Sequence, residues 1–382
     1  MSNDGISELK RKAEQGDAGA QYRLGLLYAK GHGVPQDHAI AQLWLEKAAV
    51  QGIAHAQTAL GACYAEGHGV PQDYAKGRYW YEQAAAQGDA YAQNNLGILY
   101  RDGLGGPQDY AKARQWWEKA AAQGEALAQV NLGLLYAKGH GVPQDHVQAA
   151  KWYEQAAAQG HTGAQVNLGR LYVKGEGLPQ DYERAREWYE QAAAQGEALA
   201  QFFIGRLYEQ GLGVPQDYKK AREWYERAAV QGNTGAQVSL GVLYDHGEGV
   251  PQDFAKARHW WEKAAVQGEA KAQFNLGVLY AEGHGVPQDY SKAQQWWEQA
   301  AAQGDTQAQF ALGMLYGKGE GVPEDYVQAY MWWDLAAANS TGDLQRGSAD
   351  LRDKVAHLMT PVQVAEAQRL AEQCRSKKFK GR

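Results

Sequence analysis

Proline recurs in this chain at a fixed interval, and this interval restricts the fold more strongly than any other feature. Nine of the ten prolines stand 36 residues apart, at positions 35, 71, 107, 143, 179, 215, 251, 287 and 323. The surrounding residues recur as well, so that LGLLYAKGHGVPQDH from Leu24 returns as LGVLYAEGHGVPQDY from Leu276. A sequence period between about 20 and 50 residues is typical of solenoids, in which each repeat packs mainly on its neighbours. The 382 residues are therefore predicted to form an array of repeats rather than two or three globular domains.

The first half of each unit has the spacing of an amphipathic helix, which we call helix A. In the first repeat its apolar positions are Ala20, Leu24, Leu27 and Tyr28. Gly31 can end this helix because glycine readily takes positive φ, and Asp37 after Pro35 is a strong N-cap for a second helix, helix B. The apolar positions of helix B are Ala41, Trp44, Leu45, Ala48 and Ala49. The sequence thus predicts an all-α fold of nine 36-residue helix-turn-helix repeats.

Glycine stands in the middle of every helix A, from Gly25 in the first repeat to Gly313 in the ninth. A mid-helix glycine costs about 1 kcal/mol relative to alanine. Because nine of them stand in register, we expect the backbone of another helix to pass close by at this point.

The repeat begins at Asp17 and its rhythm breaks after Ala338, which divides the chain into three predicted segments. Residues 1–16 are expected to form an N-terminal capping helix, residues 17–338 the nine repeats, and residues 339–382 C-terminal capping helices with a basic tail. Terminal units of a solenoid must cover the open apolar end of the array. Cys374 is expected on the apolar face of the last helix.

The repeating unit, AxxxLGxLYxxGxGVxxDxxxAxxWYxxAAxQG, resembles the Sel-1-like repeat of the tetratricopeptide-like superfamily. The resemblance covers residues 17 to about 338 and rests on the glycines, the aspartate and the aromatic pair, which recur together. It implies a right-handed superhelix with helix A on the concave side and helix B on the convex side. It also implies a protein that assembles other proteins or binds peptides.

Composition narrows the classes of partner and the compartment. The 44 acidic and 38 basic residues give a net charge of −6, which argues against nucleic acid because binding to phosphates needs a basic stripe. No run approaches the about 18 apolar residues of a membrane span, and the N-terminus lacks the apolar core of a signal peptide. Two cysteines indicate a reducing compartment, so we expect a cytoplasmic protein. We also expect a monomer. A periplasmic or secreted location is the alternative if a signal peptide was removed.

Residue types that often carry chemistry have structural explanations in this chain. Four histidines share one loop position: His32, His68, His140 and His284. Equivalent loops of a solenoid lie roughly 10 Å apart, which is too far for metal ligands to converge. The recurring aspartate is explained as an N-cap, and the glycine loops lack the Lys-Ser/Thr pair of a P-loop. We therefore predict no enzyme activity, no metal and no cofactor.

The helix A position of Arg23 varies, whereas the apolar residue and the glycine directly after it recur in every repeat. It carries asparagine in four repeats, at Asn95, Asn131, Asn167 and Asn275, and phenylalanine in another, at Phe203. Asparagine is a poor helix former, and its amide can pair with the backbone of an extended peptide. In tetratricopeptide proteins, asparagines on helix A bind a peptide backbone or a terminal carboxylate, so the resemblance implies the same use here. The alternative is a solvated polar residue without a partner.

Four cations stand near the asparagines in the central repeats: Lys138, Arg170, Lys174 and Arg206. A basic centre of this kind can hold a carboxylate by charge-assisted hydrogen bonds. We predict that the concave groove of repeats three to six binds a peptide or protein partner through these cations and asparagines. We expect Asn131 and Arg170 to face solvent. The alternative is an ordinary salt-bridged surface.

Two other functions are consistent with the sequence. The first is an exported bacterial effector or an enzyme inhibitor that acts through the convex loops. The second is a designed or purely structural repeat array without a partner. Substitutions on helix A would disrupt a groove binder, whereas changes around His32 and its equivalents would disrupt a loop binder.

Overall fold

The computed structural model describes residues 3–379, and the side chains of residues 4–376. Over this range the regular secondary structure is entirely helical, which confirms the predicted all-α class. The helices are α1 (Asn3–Glu14), α2 (Ala18–Lys30), α3 (His38–Val50), α4 (Ala54–Glu66), α5 (Tyr74–Ala86), α6 (Ala90–Asp102), α7 (Tyr110–Ala122), α8 (Ala126–Lys138), α9 (His146–Ala158), α10 (Thr162–Lys174), α11 (Tyr182–Ala194), α12 (Ala198–Gln210), α13 (Tyr218–Val230), α14 (Thr234–His246), α15 (Phe254–Val266), α16 (Ala270–Glu282), α17 (Tyr290–Gln303), α18 (Thr306–Lys318), α19 (Tyr326–Asn339), α20 (Gly342–Ala356) and α21 (Pro361–Phe379).

The even-numbered helices α2 to α18 are the A helices, and the odd-numbered helices α3 to α19 are the B helices. The chain forms two compact units, one that ends at Gln195 and contains α1 to α11, and one that begins at Gly196 and contains α12 to α21. From α1 to α11 in the first unit and from α12 to α20 in the second, consecutive helices pack against one another as in a solenoid. None of the helices in residues 3–379 has both the length and the apolar character needed to cross a bilayer. The predicted basic tail, residues 377–382, lies outside the side chains that the structure describes.

The turn from helix A to helix B is built by the recurring GxGVPQD segment. Gly31 ends α2 in the left-handed conformation at φ +69°. Gln36 bonds back to helix A, with its Nε2 donating to the carbonyl of Ala29 at 2.9 Å. Asp37 accepts from a backbone N–H in the first turn of α3 at 2.9 Å. The glycine C-cap and the aspartate N-cap both recur in all nine repeats of the described chain, which confirms the prediction.

Two rows of glutamine tie three successive helices together. Gln21 on α2 is buried, and its Nε2 donates to the carbonyl of Ala13 in α1 at 3.0 Å. Gln51, at the end of α3, donates its Nε2 to Oε1 of Gln21 at 2.7 Å. Both bonds recur in later repeats, as at Gln57 and Gln87. The glutamine of each AAxQG motif therefore joins helix B to helix A of the same repeat, and within each unit the buried glutamine of helix A also bonds to the helix before it, as at Gln165 and Gln237.

The close approach predicted at the mid-helix glycines is present, but the nearest atoms belong to a side chain instead of a backbone. A Cβ at Gly169 would lie 2.5 Å from Cε1 of Tyr189, and a Cβ at Gly205 would lie 2.6 Å from Cδ1 of Tyr225. The neighbour is an aromatic ring of helix B in eight repeats and Leu45 in the first. The glycines of helix A therefore leave space for a large buried side chain of helix B, which packs directly against them.

Helices outside the nine repeats pack on the first and the last repeat. Leu9 of α1 packs against Leu24 of α2. At the other end α20 and α21 both pack on α19, where Ala367 of α21 lies in one buried cluster with Trp333. Cys374 follows the line of the apolar face, three residues after Ala371 and seven after Ala367, but unlike these two buried alanines it is exposed.

Candidate functional site

The asparagines of the Arg23 row occupy one position on four A helices. Asn95, Asn131 and Asn167 lie on α6, α8 and α10 of the first unit, and Asn275 lies on α16 of the second. All four are half-buried. Each directly precedes a leucine with 0% exposure, so its side chain lies at the edge of the core.

An asparagine that the sequence analysis did not single out, Asn94, connects two of these positions. Asn94 is 1% exposed, and its Oδ1 accepts from Nδ2 of Asn131 at 3.0 Å. Its own Nδ2 donates to Oδ1 of Asn95 at 3.5 Å. The expectation that Asn131 simply faces solvent is therefore wrong, because its amide joins α8 to α6 and part of its hydrogen-bonding capacity is used within the fold.

A cavity of about 260 Å³ lies beside Asn167, and we call it the Asn167 pocket. Its lining comes from α8, α9, α10 and the turns that follow α8 and α10. Three of the predicted cations, Lys138, Arg170 and Lys174, line it. Three of the four cations predicted from the sequence thus lie around one half-open cavity.

The charges around the Asn167 pocket are only partly compensated. Lys138 and Arg170 are exposed, and neither forms an ion pair with any side chain in residues 4–376. The third cation, Lys174, has its Nζ 3.3 Å from Oε1 of Glu176. His146 also lines the cavity, and its Nδ1 is buried without a hydrogen-bond partner among the described atoms. The pocket therefore combines excess positive charge with unused hydrogen-bonding capacity.

An aromatic ring of helix B closes the inner side of this pocket. Tyr153 is 2% exposed and lies over the glycine of the preceding helix A, where a Cβ at Gly133 would be 2.6 Å from Cδ1 of the ring. Burial raises the pKa of the Tyr153 hydroxyl, and the charge of Arg170 lowers it by a smaller amount. The hydroxyl consequently stays protonated at neutral pH and can act as a donor.

A second cavity, of about 210 Å³, lies one repeat earlier, and we call it the Asn131 pocket. Asn131, Trp117 and Leu134 line it, and Lys138 lines both pockets. The indole of Trp117 is 1% exposed and donates its Nε1 to the backbone carbonyl of Asn94 at 3.1 Å. The ring is thereby fixed as a rigid inner wall.

A wider and more apolar cavity, of about 540 Å³, lies in the first three repeats. Tyr22 and Tyr91 form parts of its wall. It has room because Ala59 and Ala62 occupy positions where the next repeat has the larger Asn95 and Ile98. Its lining contains no lysine or arginine, whereas three cations line the Asn167 pocket.

The predicted site residues of the second unit have different surroundings. Arg206 is exposed, and Phe203 is half-buried with its ring centroid 5.5 Å from that of Phe202. Three residues after Arg206, Glu209 accepts a hydrogen bond from the Tyr225 hydroxyl at 2.9 Å. Burial raises the pKa of Glu209, while the bond from Tyr225 and the charge of Arg206 lower it by less. The cation here therefore lies near a partly buried carboxylate.

The structure thus brings four of the nine predicted site residues around one cavity: Asn167, Lys138, Arg170 and Lys174. Asn131 lines the neighbouring pocket, and Asn95 lies within hydrogen-bonding reach of the Tyr81 hydroxyl. The other three belong to the second unit: Phe203, Arg206 and Asn275.

The four loop histidines are all exposed. Two of them stack on the first residue of helix B in the preceding repeat, with centroid distances of 5.4 Å for His68 on His38 and 4.7 Å for His284 on Phe254. Within the described side chains, no group of three or more His, Cys, Asp or Glu has the arrangement of a metal site.

Sequence reasoning missed Asn94, His146 and Tyr153. The first two could have been found because each is a polar residue at a position that is mostly apolar or aromatic in the other repeats. Asn94 stands in the row that has Val130 and Val166 in the next repeats, and His146 stands where seven other repeats have Tyr or Phe. Tyr153 carries no such signal, because an aromatic or leucine residue recurs at its position in every repeat.

These features define an α-helical repeat protein built from antiparallel helix pairs with pockets between successive A helices. The family model described as the Sel1 repeat matches nine consecutive segments: residues 18–53, 54–89, 90–125, 126–161, 162–197, 198–233, 234–269, 270–305 and 306–340. The chain belongs to the Sel1 repeat family, as its resemblance indicated. Proteins of this family generally act as non-enzymatic scaffolds in protein–protein interactions.

Two solved structures illustrate the likeness. A protective antigen of uropathogenic Escherichia coli, described as displaying an SLR fold, is 38% identical over 97% of this chain and 86% of that one, with a TM-score of 0.59. A Sel1 repeat protein from Oxalobacter formigenes is 37% identical over 81% of this chain and 90% of that one, with a TM-score of 0.63. The comparison with curated proteins returned no significant match.

Proposed function

We propose that the chain is a scaffold whose A helices hold an extended segment of a protein partner, with a carboxylate of that segment bound in the Asn167 pocket. The observation that carries this proposal is the position of Lys138, Arg170 and Lys174 around one cavity beside Asn167. Family membership supports the broader part, since Sel1 repeat proteins generally mediate protein–protein interactions.

The groups around the pocket suit a carboxylate in both charge and geometry. The guanidinium of Arg170 has no ion pair within residues 4–376 and offers two parallel donors that match the two oxygens of a carboxylate. Lys138 adds a second positive charge, and the amide of Asn167 can pair with the peptide backbone beside the carboxylate. Hydrogen bonds to charged groups are worth about 1.5–3 kcal/mol each, so two of them suffice for a specific anchor.

The ion pair between Lys174 and Glu176 does not prevent this binding. Their side chains are 53% and 37% exposed. Exposed pairs contribute about 0–1 kcal/mol, so exchanging Glu176 for a ligand carboxylate costs little. Glu176 also limits the net positive charge of the pocket.

The test begins with peptides selected by the protein itself. Random dodecapeptides displayed on phage are selected on the immobilised chain, and the enriched sequences are synthesised with a fluorescent label. Their affinities are then measured by fluorescence anisotropy for the wild type and for the variant Arg170→Ala/Lys174→Ala. Loss of two charge-assisted bonds is expected to weaken binding at least tenfold, which corresponds to about 1.4 kcal/mol or more. Binding should also weaken with added salt, because the cations are exposed and screened.

The control is Arg23→Ala/Lys30→Ala. These two exposed cations lie on α2, so the control removes the same charge from an A helix of the same unit, away from the pocket. Its affinity should stay within about twofold of the wild type. Equal weakening by both double variants would mean that only net charge matters, and it would refute the proposal. Binding that depends instead on the loop histidines, tested with His68→Ala and His284→Ala, would assign the interaction to the loops.

A further inference from the structure

The two pockets beside Asn131 and Asn167 are the same structural site in consecutive repeats. All nine residues that line the Asn131 pocket stand 36 positions before a residue that lines the Asn167 pocket. Leu134 and Lys138 line both, so the pockets are adjacent. A segment that follows the A helices would therefore meet one pocket after the other.

The chemistry of the two pockets differs at the equivalent positions. Where the Asn167 pocket has Arg170, the Asn131 pocket has Leu134, and where the Asn167 pocket has Lys138, the Asn131 pocket has an acid, Asp102. That acid is already neutralised, because Arg101 makes two hydrogen bonds to it, Nε to Oδ1 at 2.6 Å and Nη2 to Oδ2 at 2.7 Å. Among the described side chains that line the Asn131 pocket, Lys138 is therefore the uncompensated cation, whereas both Lys138 and Arg170 lack an ion pair at the Asn167 pocket.

Aromatic and apolar groups make up most of the remaining wall of the Asn131 pocket. Trp117 and Leu134 form its inner side, and Tyr110 and His140 lie at its edge with ring centroids 5.2 Å apart. Aromatic rings pack favourably edge to face or offset, with about 0.5–1.5 kcal/mol beyond the area they bury. The ammonium group of Lys138 in the shared wall can also lie over a ligand ring.

The volumes indicate side chains rather than free small molecules as occupants. Cavities of 210 and 260 Å³ hold about seven to nine waters at about 30 Å³ each. Pockets for drug-sized ligands and cofactors usually measure about 300–1,000 Å³. Each pocket thus has room for one large side chain.

We infer that the Asn131 pocket binds an aromatic side chain of the same segment whose carboxylate occupies the Asn167 pocket, so that the partner carries an acidic and an aromatic residue about three positions apart. This inference rests on the proposed function and adds the sequence class of the partner. The spacing follows from the packing of neighbouring helices at about 8–10 Å and the rise of about 3.3 Å per residue of an extended chain. The carboxylate can come from a side chain or from a C-terminus, since the chemistry of recognition is the same.

The inference is tested with synthetic peptides and two exchange variants. The peptides carry glutamate and tryptophan two, three or four residues apart in either order, with both ends blocked, and a matched set has a free C-terminus. The variants are Leu134→Arg and Arg170→Leu, each of which installs the residue that the other pocket has at the equivalent position. Both residues are half-buried or exposed on A helices, so each exchange is compatible with folding. Circular dichroism of each variant verifies this directly.

The expected result is a preference for one order and one spacing, with at least tenfold weaker binding when tryptophan is replaced by serine. Leu134→Arg should reverse this preference, so that a second glutamate binds better than tryptophan. Arg170→Leu should remove the requirement for glutamate and leave that for tryptophan. Stronger binding of the set with a free C-terminus would identify the terminal group as the carboxylate in the Asn167 pocket, with the aromatic preference unchanged.

Two other results would overturn the inference, and they are distinguishable. If glutamate is required and Arg170→Leu weakens binding, but serine replaces tryptophan within about twofold at every spacing, the Asn131 pocket does not select an aromatic residue. In that case the proposed function stands and the partner class is wrong. If no peptide, including those selected from the random library, depends on Arg170, both the inference and the proposed function fail.

Discussion

The substitution Gly169→Ala tests the role of the glycine row in holding the two helices of a repeat together. The new Cβ would lie 2.5 Å from Cε1 and 2.8 Å from Cδ1 of Tyr189. Ordinary contacts of a Cβ with a carbon atom are about 3.5–4.0 Å, so the ring must move by about 1 Å. Tyr189 is 1% exposed in the core between α10 and α11, and the close packing there leaves little room for such a shift.

The expected magnitude follows from two opposing effects. Overpacking of a well-packed core costs about 1–3 kcal/mol. Replacing a glycine inside a helix by alanine regains about 1 kcal/mol. Because the clash is with a buried ring, we expect the cost to lie near the upper limit and the variant to lose about 1–2 kcal/mol of stability overall.

The same helix supplies a matched control, Gly163→Ala. A Cβ at Gly163 would have its nearest neighbour, Cε1 of His161, at 3.2 Å, and that ring caps the N-terminus of α10 outside the core. This variant regains helix propensity without a core clash and should be as stable as the wild type or more stable. The difference between the two variants, about 1–3 kcal/mol, isolates the clash.

The assay is urea unfolding followed by circular dichroism, with the double variant Gly169→Ala/Tyr189→Ala included. Alanine removes the ring, whereas leucine would not remove the clash, because a Cβ at Gly25 in the first repeat would lie 2.8 Å from Cγ of Leu45. If the ring is the cause, Gly169→Ala should cost less in the Tyr189→Ala background, with an interaction energy of about 0.5–3 kcal/mol. Equal midpoints for Gly169→Ala and Gly163→Ala would refute the role assigned to the glycine row.

Three further substitutions test other parts of the repeat, each by urea unfolding of the variant beside the wild type. Asp181→Ala removes the side chain that accepts from a backbone N–H in the first turn of α11 at 3.0 Å, and should cost about 1 kcal/mol. Gln165→Leu removes a 2% exposed amide that bonds to a backbone carbonyl of the preceding helix B at 3.3 Å, and should cost about 1–3 kcal/mol because the buried carbonyl loses its donor. Glu209→Gln should stabilise the protein at pH 7, because burial raises the pKa of Glu209 in the folded protein. The contribution of the Glu209 carboxyl group to the free energy of unfolding is therefore most favourable below its pKa in the unfolded chain, and it is lost as the pH rises through its pKa in the folded protein. Glutamine keeps the bond from Tyr225 without the buried charge, and the advantage of the variant should therefore shrink at pH 4, whereas an advantage that is independent of pH would contradict this reasoning.

The repeat architecture could be predicted because each of its local signals acts over a few residues. Gly31 and Asp37 form the predicted caps, and their geometry depends only on the turn between them. The neighbour of Gly169 was misjudged because a recurring glycine indicates a close approach without indicating which group approaches. Helix B of the same repeat carries the ring that contacts this glycine, Tyr189. The packing angle of the two helices, which the sequence does not show, brings that ring to the glycine.

The candidate site was predicted less completely because it forms between repeats. The row of asparagines and the central cations are visible as a pattern, and four of those residues line one cavity. The hydrogen bond between Asn131 and Asn94 joins residues 37 positions apart in the sequence. Comparing equivalent positions of the repeats does not show which amide side chains come into contact. The orphan Nδ1 of His146 likewise depends on how the turn after α8 lies over the start of α9. Contacts between repeats depend on how the helices are placed relative to one another, and the residue types at one repeat position do not determine that placement.

The C-terminal helices provide the last prediction, since we propose that the segment from residue 339 onward caps the ninth repeat. Ala367 on α21 is 0% exposed and lies in a cluster with Tyr330, Trp333 and Val355. Ala367→Glu would place a carboxylate among these groups without a partner, at a cost of at least about 2 kcal/mol, so α21 should detach from α19. The control is Ala365→Glu, because that residue is exposed on the same helix and the added charge is identical.

Hydrogen exchange measured by mass spectrometry distinguishes the two variants. Detachment should raise the exchange of the amides in residues 361–376 and in α19 for Ala367→Glu, and should leave the helices of the first unit unchanged. Exposure of the apolar face of α19 should also promote association of the variant, which light scattering detects. If these amides exchange equally slowly in the Ala367→Glu and Ala365→Glu variants, the buried face of α21 does not hold the cap in place. The stability of the ninth repeat would then have to come from α20 and from its own glutamine and aspartate bonds.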